Sequence, residues 1–291
     1  MNKSVSAIAA RLSCVLLLLV AGFQCASAQQ AAPAPRPSPQ AGVLSDGRAR
    51  ASEVLVDSSI GDDAAVDKML ADYSPKVRAL DVVIGNLKGE LRKGGTGAGS
   101  MGNFVADGMR AQGSLKLGQP IEIAIMNSGG LRRNTISEGV LRARDIFELL
   151  PFENALVTLE LTGEQLTRLL GVVISSREAQ SGARIVYFTK ADRTSAVESA
   201  KLRGPGGVEK DIDPTATYRV VTIDYLVNVG GERYAILREG KNLKALGLTL
   251  RDAIMAYVKS ETAAGRDIKP NLDGRFSFDR AKSAAEPAPP Q

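Results

Sequence analysis

Two short segments place residues of the right kind for ligand chemistry close together. Asn127-Ser128-Gly129-Gly130-Leu131-Arg132 follows an apolar run, Ile121 to Met126, and turns on two glycines before an arginine. A Gly-Gly turn lets backbone N–H groups approach an anion. A following guanidinium can fork onto a phosphate. The second segment, Leu149-Leu150-Pro151-Phe152-Glu153-Asn154, sets an aromatic ring just after a helix stop. A ring held there could stack a base. Together the two segments suggest a nucleotide site.

The rest of the composition narrows the chemistry by exclusion. The 291-residue chain has no histidine and two cysteines, Cys14 and Cys25. Lys3 and Arg11 precede and flank an apolar stretch, Leu12 to Val20, and Ala26-Ser27-Ala28 has the small-x-small form of a cleavage site. Residues 1–28 therefore read as a secretory signal peptide cut after Ala28. A lipoprotein reading fits less well, because Phe23 and Gln24 before Cys25 suit a lipobox poorly. Cleavage would remove both cysteines, leaving no disulfide and no thiol chemistry. It would also remove two basic and no acidic residues, taking the net charge from +5 to +3. That balance gives no argument for nucleic acid as a partner. No segment suits a membrane span.

Without histidine there is no Ser-His-Asp triad, no imidazole acid and no histidine-ligated zinc. Ser-x-x-Lys does not occur. The acidic residues are scattered, and Asp62-Asp63 reads as the start of a helix. Gly97-Ala98-Gly99-Ser100-Met101-Gly102 satisfies GxGxxG. It does not follow a strand directly, as a dinucleotide loop must, and reads as a flexible loop before a helix.

The elements that must hold these residues mix both types. Helical spacing is expected over Asp62 to Tyr73, Met101 to Ala111, Arg144 to Leu150, a Thr162-capped segment to Val173, and a Thr249-capped segment from Leu250 to Thr262. Strands are expected over Leu80 to Ile84, Ile121 to Met126, Ala155 to Leu161 (half-buried), Arg184 to Phe188, Ala200 to Arg203, Tyr218 to Thr222 and Arg275 to Phe278, with Lys88 to Gly99 a glycine-rich loop. The fold class is α/β, an α+β layered domain of mixed sheets packed with helices. The expected organisation is a signal peptide over 1–28, a Pro/Ala-rich linker over 29–59, one domain over 60–279 and a disordered tail over 280–291.

Five ordered motifs carry a resemblance to a known family. They are Met101-Gly102-Asn103-Phe104-Val105-Ala106-Asp107, Asn127 to Arg132, Gly139 to Asn154 with Asp145-Ile146 and Leu150-Pro151-Phe152-Glu153-Asn154, Leu161-Thr162-Gly163-Glu164-Gln165-Leu166, and Asp224-Tyr225-Leu226-Val227-Asn228 with Gly230-Gly231. The sequence resembles the C-terminal, substrate-gripping domain of the 5′-nucleotidase family from about residue 60 to 279. That family couples this domain to an N-terminal dinuclear metallophosphatase domain. The resemblance implies that Phe152 and Tyr225 sandwich a base and that Arg132 meets a phosphate. It also implies that Asn127, Gly129 and Gly130 line the base and sugar side, and that Glu232 holds the ribose if Val229 is an insertion.

Alternatives stay open at each position. Phe152 could be a core plug, Arg132 could pair with a carboxylate while Arg133 makes the contact, and Tyr225 could close a hydrophobic cluster. Asn103 and Asp107 read as structural. The second phosphate arginine of the family falls at Gly95 here, with Lys93 or Arg92 as candidate substitutes, and Ser128 stands where the turn has a glycine.

Nothing before residue 60 resembles the metal-binding domain. The expectation is therefore an exported nucleotide- or nucleoside-binding domain linked to nucleotide catabolism. It would be the substrate-specificity half of an enzyme whose hydrolysis needs a separately encoded metallophosphatase. Divalent metals would enter only through that partner. The competing readings are a complete 5′-nucleotidase-type hydrolase and a non-catalytic interaction module.

Overall fold

The structure, a computed structural model, describes residues 57–285. The expected signal peptide, and the linker as far as residue 56, lie outside the described residues, as does the tail from residue 286. Residues 57–61 belong to a separate unit and form a turn in which the Ile60 amide donates to the Asp57 carbonyl at 3.1 Å.

Asp63 caps α1 (Ala64–Ala71), its carboxylate accepting the Ala65 and Val66 amides. The helix expected to Tyr73 closes at Asp72, its C-cap, and α2 (Ser74–Ala79) follows with Pro75 in its first turn, where the missing N–H is harmless. The strand expected over Leu80 to Ile84 is shifted: Leu80 closes α2, and β1 is Val83–Leu87. Val83 is the first residue to pair, opposite Arg142, and Gly85 lets the strand pack close to a helix, since a Cβ there would stand 2.6 Å from Val258.

The segment expected as a loop from Lys88 to Gly99 contains β2 (Leu91–Arg92), because Leu91 is fully buried and pins the chain to the core. Next comes α3 (Gly99–Leu117), with Phe104, Val105 and Met109 inward as expected and Gly118 in the left-handed C-cap. The GxGxxG glycines are packing devices. A Cβ on Gly97 would enter the Phe276 ring at 2.1 Å, and one on Gly102 would meet the Gly97 carbonyl at 1.9 Å.

The chain continues through β3 (Ile123–Met126), β4 (Thr135–Ile136), β5 (Gly139–Arg142) and α4 (Ala143–Leu149), then β6 (Ala155–Thr162). Helix α5 (Gly163–Ser176) opens with a complete capping box, Thr162 with Gln165. Strands β7 (Ala179–Ser181), β8 (Ala183–Thr189), β9 (Ser195–Arg203), β10 (Glu209–Asp211) and β11 (Thr217–Ile223) follow. The last elements are α6 (Asp224–Asn228), α7 (Ala235–Arg238), β12 (Lys241–Thr249), α8 (Leu250–Ala263), β13 (Phe276–Phe278) and α9 (Arg280–Ala285). Residues 280–285 are thus helical rather than disordered. Asp279 caps the Lys282 amide and the Ser283 hydroxyl receives the Thr189 amide at 3.0 Å.

The central sheet has the order β12-β6-β11-β3-β7, and β6 is more buried than expected because strands flank it on both sides. A second sheet runs β10-β9-β8-β13, and β1–β5 and β2–β4 form two small pairs. Most of the apolar core lies between the central sheet and α3, α5 and α8, through residues such as Met101, Met109, Ile125, Leu159, Leu170 and Ile254.

Topology decides where a site can form. Strands β3 and β11 are parallel neighbours, with Val220 beside Ile123, so both deliver their carboxyl ends to one edge of the sheet. Strand β6 is antiparallel to β11, with Ile223 beside Leu156, so it begins at that same edge. The Asn127 turn, the Phe152 loop and Tyr225 follow or precede those strand ends. A crevice outside strand carboxyl ends is the usual ligand position in open α/β sheets.

Candidate binding pocket

Asn127, Gly129, Gly130, Arg132, Phe152, Asn154 and Tyr225 line one pocket of about 360 Å³ at that edge. Six of the seven residues named from the sequence are therefore brought together. Asn154, quoted in the motif but not singled out, joins them. Glu232 does not line the pocket: its side chain is 95% exposed and pairs with Arg238 at 3.4 Å.

Phe152 and Tyr225 remain 47% and 44% exposed, so neither plugs the core. The Arg132 guanidinium lies 5.8 Å from the Phe152 ring centroid, a cation–π contact that keeps both side chains at the rim. Arg132 makes no ion pair among the described residues, whereas Arg133 is held by Asp145 at 3.2 Å and Glu148 at 2.9 Å. Of the two arginines, Arg132 lines the pocket and Arg133 braces α4. Arg92 pairs with Glu90, and Lys93 donates to the Leu131 carbonyl at 2.8 Å. Neither Arg92 nor Lys93 lines the pocket.

The turn differs from the anion cradle expected of it. Ser128–Gly130 is a 3₁₀ turn in which the Gly130 amide donates to the Asn127 carbonyl at 3.0 Å and the Leu131 amide to Ser128 at 3.2 Å. Those two N–H groups are thus spent inside the protein. Gly130 is needed for space, because a Cβ would lie 2.4 Å from the Met126 methyl. Asn127 Oδ1 is buried and has no hydrogen-bond partner. A buried amide oxygen without a donor is costly, so it is a place where a ligand N–H or O–H gains.

Several supporting residues carry no sequence signal. Glu178, 5% exposed, accepts the Ser128 amide at 2.5 Å through one oxygen and the Tyr234 hydroxyl through the other. Burial, followed by the bond to Glu178, pushes the Tyr234 hydroxyl well above its ordinary range, so it remains a neutral donor. Asp224 Oδ1 accepts both the Ala155 amide at 3.1 Å and the Tyr225 amide at 2.8 Å, tying the two aromatic segments to one carboxylate. The Arg132 amide donates to Leu149 at 2.9 Å, and the Leu250 amide to Asn154 at 2.8 Å. Arg251, stacked 4.1 Å from the Phe147 centroid, reaches Glu153.

Asn103 and Asp107 are structural, as read. Asn103 donates to the Asn271 carbonyl at 2.7 Å, and Asp107 takes both arms of Arg275 at 2.8 and 2.9 Å. Among the described residues no group of three or more His, Cys, Asp or Glu is placed to share a metal ion. The dinuclear metal centre of a metallophosphatase therefore does not fit the residues described. Among them, too, no helix is long and apolar enough to cross a membrane.

The profile described as 5′-nucleotidase, C-terminal domain, matches residues 81–239. The trifunctional nucleotide phosphoesterase protein YfkN of Bacillus subtilis (strain 168) is 30% identical over 208 residues, which is 69% of this chain and 14% of YfkN. Protein UshA of Escherichia coli (strain K12) is 24% identical over 219 residues, 73% of this chain and 38% of UshA. The crystal structure of a 5′-nucleotidase precursor from Thermus thermophilus superposes with a TM-score of 0.62 at 26% identity, covering 74% of this chain and 43% of that one. The chain thus spans less than half the length of these relatives.

Proposed function

This chain belongs to the 5′-nucleotidase C-terminal domain family, and from that premise we propose that its pocket binds a nucleotide or nucleoside. In this reading the base stacks on Phe152 and Tyr225, Asn127 and Asn154 meet its polar edge, and Arg132 takes the phosphate. The observation that carries it is the pair of half-exposed rings at the rim of one pocket with an arginine free of carboxylates beside them. Rings left half in water without a partner are a poor use of apolar area unless something flat covers them.

The domain is further proposed to act as the substrate-selecting half of a nucleotide-catabolic hydrolase. In this reading a metallophosphatase, separately encoded, would supply the divalent ions and the hydrolytic step. Export to the periplasm or exterior follows from the leader-like residues 1–28. Mass spectrometry of the secreted form, starting at Gln29, tests that part.

Stacking contributes ~1–3 kcal/mol per base, and a charge-assisted hydrogen bond about 1.5–3. Together they suit micromolar to millimolar affinity. Calorimetric titration with AMP and adenosine is the direct test. Saturable binding that falls at least tenfold in Phe152→Ala supports the clamp. Unchanged affinity in that variant, or no heat with either ligand on folded protein, refutes it.

A further inference from the structure

A cavity of about 880 Å³ lies at the opposite edge of the central sheet, ahead of β3. Its walls include Ala111 and Leu115 of α3, Pro120 and Ile121 before β3, and Tyr257 of α8. Gly108 lets Tyr257 sit this close to α3, since a Cβ there would stand 3.0 Å from its ring. Most of the lining is apolar, and one guanidinium, Arg110 of α3, stands within it. A mainly apolar cleft of that size with a few converging polar groups is the ordinary form of a small-molecule site.

Arg110 is half-buried, and its bonds go to carbonyls rather than to a carboxylate. Its Nε donates to Ile121 at 2.9 Å and its Nη2 to Arg203 at 3.4 Å, tying the start of β3 to the end of β9. Those bonds use one side of the guanidinium. Nη1 bonds to no described residue, so Nη1 and the second Nη2 hydrogen are left for a ligand. Asp107, also on the cavity wall, gives both oxygens to Arg275 at 2.8 and 2.9 Å. Glu122 accepts the Arg219 amide at 2.8 Å and lines an adjoining groove, not this cavity. Among the described residues neither forms an ion pair with Arg110. Burial lowers the pKa of Arg110, and Asp107 and Glu122 oppose that only through space.

From this geometry we propose that the cavity is a second ligand site, which takes a small monocarboxylate with an apolar or aromatic body. Two coplanar N–H groups of Arg110 match the two oxygens of a planar carboxylate. One unanswered cation suits one negative charge, whereas a phosphate dianion would bring a second charge beside Asp107. The apolar body lies against Leu115, Ile121 and the Tyr257 ring. Burial pushes the Tyr257 hydroxyl up to about 12, so it stays a neutral donor on the cavity wall.

The test is titration of the full chain with 3-phenylpropionate and octanoate, followed through backbone amide NMR shifts, with the corresponding amides as neutral controls. The expected result is saturable shifts around Arg110, Leu115 and Tyr257, the acid binding roughly tenfold or more tightly than its amide. Arg110→Ala should weaken the acid by a similar factor. Ala111 is exposed on α3, so Ala111→Glu spares the core while placing bulk and negative charge on the cavity wall. That variant should abolish binding, and it keeps the test decisive if Arg110→Ala does not fold. No saturable shift with either acid on folded protein overturns the proposal. So do equal affinities for acid and amide, unchanged affinity in Ala111→Glu, tighter binding of inorganic phosphate, or shifts confined to Phe152 and Tyr225. AMP need not bind for the proposal to hold, so it stands or falls apart from the nucleotide reading.

Discussion

The Glu178 carboxylate accepts the backbone amide of Ser128 at 2.5 Å, from a position 50 residues further along the chain. Its second oxygen holds the Tyr234 hydroxyl, so one buried acid fixes the turn that begins the pocket wall and the segment that follows Tyr225. Removing it leaves two buried donors unsatisfied, each costing about 1–3 kcal/mol. Glu178→Ala is expected to lower Tm by roughly 5–10 °C and to weaken adenosine binding. Glu178→Gln, still an acceptor, should lose less on both counts. Scanning fluorimetry with a paired titration checks this, and an unchanged Tm in the alanine variant would show that Glu178 does not anchor the turn.

Arg132 and Arg133 should separate cleanly. Arg132→Ala is expected to reduce AMP affinity about tenfold, the loss of a charge-assisted hydrogen bond, while leaving adenosine and Tm almost unchanged. Arg133→Ala cuts a part-buried tie to Asp145 and a surface tie to Glu148. It should cost at most ~1 kcal/mol of stability and leave both ligands' affinities alone. Equal losses for AMP and adenosine in Arg132→Ala would remove the phosphate role.

How much of this was legible depends on sequence distance. The Asn127 turn, the Phe152 loop and Tyr225 could be read because each is a contiguous motif next to a clear strand or helix stop. Thr162 and Thr249 likewise announce their helices through local caps. Glu178 could not be read: its partners lie 50 and 56 residues away, and a lone glutamate after a helix has no local signature. The strand start at Leu80 does not hold because an apolar run does not say where a strand begins; Leu80 is taken by the helix C-cap, and pairing starts at Val83 opposite Arg142. Helix α9 was missed because Ala, Lys and Ser give no pattern. Tertiary ties, Ser283 to Thr189 and Lys282 over the Phe188 ring at 4.6 Å, hold it. Glu232 was misplaced because motif spacing cannot reveal which way Gly231 turns the chain.

Asp224 is placed to act on a bound ligand through the segments it ties together. Both amides it accepts lie on segments carrying pocket residues, one of them Tyr225 itself. Asp224→Ala is expected to weaken adenosine binding severalfold without removing any pocket-lining group. Asp224→Asn, which keeps an acceptor oxygen, should restore most of the loss. Failure of the asparagine variant to recover any affinity would argue against a positioning role.

Asp273 should govern part of the acid response. Burial raises its carboxyl, but the Arg275 guanidinium, bonded at 2.8 and 3.0 Å, outweighs this, with Arg203 adding to it, and the net position is below the ordinary value. Arg275, itself almost buried and shared with Asp107, is held charged throughout. A carboxyl depressed in the folded state contributes stability above its unfolded pKa, and that contribution drains away as pH falls through the folded one. The loss should therefore set in below about pH 4. Asp273→Asn should lower Tm at pH 7, where the ion pair is intact in the wild type, and flatten the fall in Tm between about pH 4 and pH 2. Tm measured across that window for both proteins gives the answer: parallel curves would place the acid sensitivity in other carboxylates. Convergence of the two curves at low pH would assign it to the Asp273–Arg275 pair, which ties β13 to α3 beneath the second sheet through Asp107.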